Sequence, residues 1–165
     1  MTLFTIKLKC DKDNDEPLKV VDAAGHTVGR LYGNAKRDYV VIRFGNAIGA
    51  LRLVEDGPYL MPAESTSSIL WGAPRCAGLP LLVTGGQLGN YFGLPNVPTI
   101  GSSRGADQRF TIYLPTTSTV QRITIYSQGV AGPTCNYQFP AFPAYGVPAE
   151  AASLDSYFVL PFHIE

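Results

Sequence analysis

Three aspartates at alternate positions, Asp11, Asp13 and Asp15, form the densest group of metal-ligand side chains in the sequence. Alternate carboxylates in a turn can converge on one hard cation, and calcium is the ion that such all-oxygen sets hold. The rest of a helix–loop–helix calcium site does not follow. Glu16 stands where that loop needs glycine, Pro17 comes next, and the twelfth position is Asp22 in place of glutamate. No resident cofactor is therefore expected. Calcium in an irregular loop is the one metal the turn suits, and a solvated acidic turn is the plainer reading.

Gly101-Ser102-Ser103-Arg104-Gly105 fits the spacing G-x-S-x-G. A nucleophile elbow needs a strand before it and a helix after it, whereas Ala106-Asp107-Gln108 leads straight into a strand pattern. The chain holds two histidines, His26 and His163. Ser103, Asp155 and His163 stand in a workable chain order for a triad, but a Gly/Ser loop feeding a strand explains the same letters. The stretch lacks the lysine of a phosphate-binding loop, and no helix pattern follows it. No catalytic constellation survives, and the chain is not expected to be an enzyme.

Ring faces and side-chain amides are what a sugar surface needs, because rings stack on apolar sugar faces while amides bond hydroxyls. The single Trp71, with Gln87, Asn90, Tyr91 and Phe92, supplies both. These five are the candidate ligand-binding residues. The competing reading has Trp71 and Phe92 pinning a long loop to the core. Arg43, Arg52, Arg109 and Arg122 fall at strand positions. Arg122 shares an outward face with Thr124 and Tyr126, a composition favoured at interfaces.

The elements that must position these residues are strands. Phe110-Thr111-Ile112-Tyr113-Leu114 and Ile123-Thr124-Ile125-Tyr126 alternate apolar and polar side chains, the period of a half-buried strand. With the turn between them they read as one hairpin, with Phe110, Ile112, Leu114, Ile123 and Ile125 facing inward. Residues 3–9 alternate in the same way. Lys19–Asp22 with Thr27–Tyr32, and Tyr39–Phe44 with Ala50–Glu55, read as two further hairpins. Between Asp56 and Gly105, Gly and Pro crowd the chain and only Leu79–Thr84 reads as a strand. Residues 62–68 suit one helical turn. Gly132–Pro148 reads as extended polyproline II, Pro148–Ser153 as the start of a short helix, and Tyr157–Ile164 as a last edge strand containing Pro161. About eight strands and no crossover helix predict an all-β fold: an antiparallel, jelly-roll-like β-sandwich of one domain over 1–165, with a closed barrel as the alternative.

Bulk properties narrow the function classes. With 165 residues and 45% hydrophobic side chains the chain can bury a core. Thirteen basic and thirteen acidic residues cancel, and no basic run exists to serve nucleic acid or an anionic membrane. Cys10, Cys76 and Cys135 lack metal or redox spacing; at least one is expected as a buried thiol, and pairing of two is left open. The N-terminus lacks a signal-peptide core, so a soluble chain is expected. The expected function is a non-catalytic recognition module whose long loops bind a glycan or a protein surface. The alternatives are a coat-, capsid- or appendage-like homo-oligomer, and a membrane-active β protein.

Overall fold

The computed structural model describes residues 18–34, 37–63, 69–84, 97–105, 107, 109–129 and 135–165. These residues are all-β: twelve strands, interrupted by two three-residue 3-10 turns at Pro74–Cys76 and Leu154–Ser156. No helix among them is long and apolar enough to cross a membrane.

The first half of the chain curls into a hydrogen-bonded ring. β1 (Lys19–Val21), β2 (Thr27–Asn34), β3 (Arg37–Phe44), β4 (Ala47–Asp56) and β5 (Tyr59–Pro62) pair antiparallel in sequence order. The C-terminal segment closes it. Leu60 and Phe162 exchange backbone bonds of 2.8 and 3.0 Å, and β12 (His163–Ile164) pairs with β1. Val40, Ile42, Leu51, Leu53, Leu60 and Phe162 meet in one buried cluster. Strand alternation sends these residues inward, and their burial drives the closure.

Asp22 locks the first turn to the C-terminal segment. Its fully buried carboxylate accepts the backbone N–H groups of Ala24 at 3.0 Å, His26 at 2.8 Å and Val159 at 3.0 Å. Burial alone would raise the carboxyl pKa. The donors from Val159, His26 and Ala24 outweigh it and hold the group at about 2. Gly25, at φ +83°, takes the left-handed position of this turn.

The second half continues from β4. Its edge passes from β5 to a short parallel pairing with β8 (Thr99–Arg104) through Ala50–Thr99 and Leu51–Ile100. β9 (Phe110–Pro115) joins β8, and the last third of β11 (Asn136–Ser153) joins β9. β11 then serves β7 (Ala77–Val83) and β10 (Gln121–Gln128), and β6 (Ile69–Ala73) links those two. The result is a small closed four-stranded barrel, β10-β6-β7-β11. Leu70, Leu81, Ile125, Val83, Ile123 and Ala144 cluster together in it. A second cluster, with Ile69, Trp71, Cys76, Leu82 and Tyr113, joins it to the rest. Gly101 permits the approach: a Cβ there would strike Ile69. A disulfide between Cys76 and Cys135, Cα atoms 5.9 Å apart, ties the turn after β6 to the entry of β11.

Several expectations change. The all-β class holds, as one 12-stranded sheet that includes the small closed barrel, and the pairing does not establish a two-sheet sandwich. Residues 110–115 and 121–128 are strands, yet they do not pair with each other; β11 takes one edge of each. Residues 136–153 form a single strand instead of polyproline II and a helix start, because three neighbours in turn satisfy their backbone. The irregular region contains β5, β6 and β8 as well as β7. The last strand shrinks to His163–Ile164, although Phe162 is fully buried as the alternation implied. The expected strand at 3–9 and most of the helical turn at 62–68 lie outside the described residues.

Candidate functional site

The inward face of β3 and β4 does not end on an apolar side chain. Asp38, Val40 and Ile42 share one face of β3, and Leu51, Leu53 and Glu55 share the facing positions of β4. Val40, Ile42, Leu51 and Leu53 fill the core, so Asp38 and Glu55 stand at the rim where the core stops. Glu55 pairs across to Leu60 on β5, with Tyr59 beside it. The closing strand delivers His163 and Ile164 opposite Val21 and Val20.

These residues line a cleft of about 240 Å³ at the mouth of the ring, completed by Pro58. Leu60 is buried and gives it an apolar floor, while the Tyr59 side chain is 48% exposed. Among the described residues, neither lysine nor arginine is in the lining. His163 Nε2 lies 4.0 Å from Glu165 Oε1.

Asp38 is the unusual group. Its Oδ1 is buried and has no hydrogen-bond partner among the described residues. A buried acceptor left unmade costs about 1–3 kcal/mol, and more when charged, so most such atoms in proteins are paired. Burial, and then the charge of Glu55, hold the Asp38 carboxyl above its ordinary pKa. Two carboxylates with no fixed cation between them among the described residues give the cleft capacity to accept hydrogen bonds or positive charge.

The residues singled out by sequence fall elsewhere. Trp71 is 6% exposed within the apolar cluster of β6, and its indole N–H donates to the Gly129 carbonyl at 2.7 Å. That position matches the pinning role. A sugar-stacking platform needs an open ring face, which Trp71 lacks. Gln87, Asn90, Tyr91 and Phe92 lie outside the described residues, as do Asp11, Asp13 and Asp15. Among the described residues no group of three or more His, Cys, Asp or Glu side chains is placed to hold a metal.

The G-x-S-x-G letters have structural uses. Gly101 clears Ile69, Ser102 Oγ donates to the Ala63 carbonyl, and Gly105 N–H donates to the Arg109 carbonyl at 2.8 Å. Ser103 sits within β8 opposite Thr111, not on a strand-to-helix elbow. Arg122, Thr124 and Tyr126 do form an exposed face, joined across the barrel by Tyr145 and Pro143.

Sequence reasoning missed Asp38, Glu55 and Tyr59, and considered His163 only in a discarded triad. A signal was present for two of them: Asp38 and Glu55 occupy the inward parity of otherwise apolar strands, where a charge needs a reason.

No family model, curated protein or solved structure matches the chain.

Proposed function

We propose that the protein is a non-catalytic recognition module and that the cleft at the ring mouth is where it engages its ligand. The observation that carries this reading is the Oδ1 of Asp38 beside Glu55, buried and with no hydrogen-bond partner among the described residues. Its cost to the free protein is offset when the carboxyl turns toward the cleft and a ligand there supplies the missing donor. The setting supports it too, since barrel mouths recur as binding sites, apolar with a few convergent polar groups. At about 240 Å³ the cleft falls below the roughly 300–1,000 Å³ typical of drug-sized ligands. It therefore suits one side chain or one small polar group presented by a larger molecule. The Cys76–Cys135 disulfide favours an oxidising compartment, where such bonds persist.

The test is backbone-amide NMR of the full chain against a small set of monosaccharides, amines and capped peptides. Shifts concentrated at Tyr59, Leu60, His163 and Ile164 support the reading. Shifts centred elsewhere, or none at millimolar ligand, overturn it.

A second reading, a homo-assembling subunit, draws on the face of Arg122, Tyr126 and Tyr145, whose tyrosines are 40% and 62% exposed. Size-exclusion chromatography with light scattering decides it: a monomer at high concentration removes it.

A further inference from the structure

We infer that the occupant of the ring-mouth cleft is an arginine side chain of a partner protein. This inference rests on the recognition reading and narrows it to a ligand class. Four features converge. Asp38 and Glu55 place two carboxylates at one cleft, and no lysine or arginine is among its described lining residues. Asp38 Oδ1 is buried without a donor among the described residues, and a guanidinium brings five donors in a planar fork that matches carboxylates. The Tyr59 ring is half exposed at the rim, where a guanidinium can stack. Leu60 and Ile164 supply apolar surface for the three-carbon stem.

Size and charge disfavour the other occupants. A neutral sugar hydroxyl would give Asp38 a donor but leave two adjacent carboxylates uncompensated. An ammonium would neutralise one of them but lacks the planar fork, so arginine should exceed lysine. Other titratable groups face the same space: Tyr59 from β5 and His163 from β12, with Glu165 beyond His163. Protonation of Asp38 removes an acceptor, so binding weakens as pH falls.

The experiment is an NMR titration of the full chain with three capped tripeptides, Gly-Arg-Gly, Gly-Lys-Gly and the neutral citrulline analogue, together with a neutral monosaccharide panel. Asp38→Asn and Glu55→Gln are run alongside, and their amide spectra verify folding. The inference expects arginine to bind at Tyr59, Leu60 and Ile164, lysine more weakly, and citrulline at least tenfold more weakly. It expects each variant to lose about tenfold for the arginine peptide, the value of one charge-assisted bond. Equal binding of arginine and citrulline, or variants that leave arginine affinity unchanged, overturns the arginine inference. If a monosaccharide then binds the cleft, the recognition reading stands without it. If no ligand shifts the cleft amides, both fall.

Discussion

Cutting the Cys76–Cys135 bond gives a stability change whose size follows from the chain itself. The two cysteines are 59 residues apart in sequence, and freeing a loop of that length returns entropy to the unfolded chain. The chain-entropy relation puts the loss at about 4 kcal/mol at 25 °C. For a domain of this size each kcal/mol moves the melting temperature by roughly 2–4 °C, so reduction should lower it by about 8–16 °C. Strain relief in the native state could only shrink this figure. The bond also braces the small barrel by joining the turn after β6 to the entry of β11, so the loss should appear first in that barrel. The assay is thermal melting followed by circular dichroism, comparing oxidised protein, reduced and alkylated protein, and Cys135→Ser. Thiol counting in denaturant gives one free thiol of three before reduction. Three free thiols, or a melting shift under about 2 °C, would refute the pairing or its structural weight.

Other outcomes follow from individual contacts. Asp22→Asn removes a charge that accepts three backbone donors and should cost about 1.5–3 kcal/mol near neutral pH in urea unfolding. Because the Asp22 pKa is lowered to about 2, its stabilisation is complete above the ordinary value of 3.8 and disappears as pH falls through about 2. The gap between wild type and variant therefore closes in acid, and a gap that persists there contradicts the assignment. Asp38 has the opposite sign. Its raised pKa favours folding below 3.8 and withdraws that support as pH rises through the folded value, so Asp38→Asn should flatten this decline. Gly101→Ala drives a methyl into Ile69 and should cost about 1–3 kcal/mol, whereas Gly72→Ala, with Leu81 Cδ1 at 3.4 Å, should change stability by less than about 0.5 kcal/mol. Trp71 fluorescence should resist iodide in the folded protein; quenching as strong as that of free tryptophan would contradict its burial.

How far the sequence reached can be judged strand by strand. Alternation located β2, β3, β4, β9 and β10 and assigned the inward residues of β9 and β10, because a half-buried strand writes its burial into a period of two. It could not assign partners. Phe110, Ile112 and Leu114 joined the large core while Ile123 and Ile125 joined the small barrel. The cause is β11, an 18-residue strand whose Pro140, Pro143 and Pro148 read locally as polyproline. Long-range pairing overrode that local preference. β6 and β8 were hidden for a related reason: glycines at Gly72 and Gly101 looked like loop residues, and Gly101 is in fact a close-packing position. The cleft was half legible. Asp38 and Glu55 break the apolar parity of their strands, but Tyr59 and His163 reach them only because Phe162 pairs with Leu60 and closes the ring, a contact between residues 102 positions apart. Trp71 stayed ambiguous in sequence, since a lone tryptophan carries the same letters whether its ring is stacked inside or offered outside; its burial agrees with the pinning role.

The account rests on Asp38 being a buried acceptor that waits for a cation. Carbon-detected NMR titration of its side-chain carboxyl, in the free protein and with saturating capped Gly-Arg-Gly, tests that directly. The account predicts a pKa above the ordinary aspartate value in the free protein and a clear fall on adding the peptide, because an opposite charge favours the ionised form. A carboxyl that titrates at its ordinary value when free, or that does not move when the peptide is added, would contradict it.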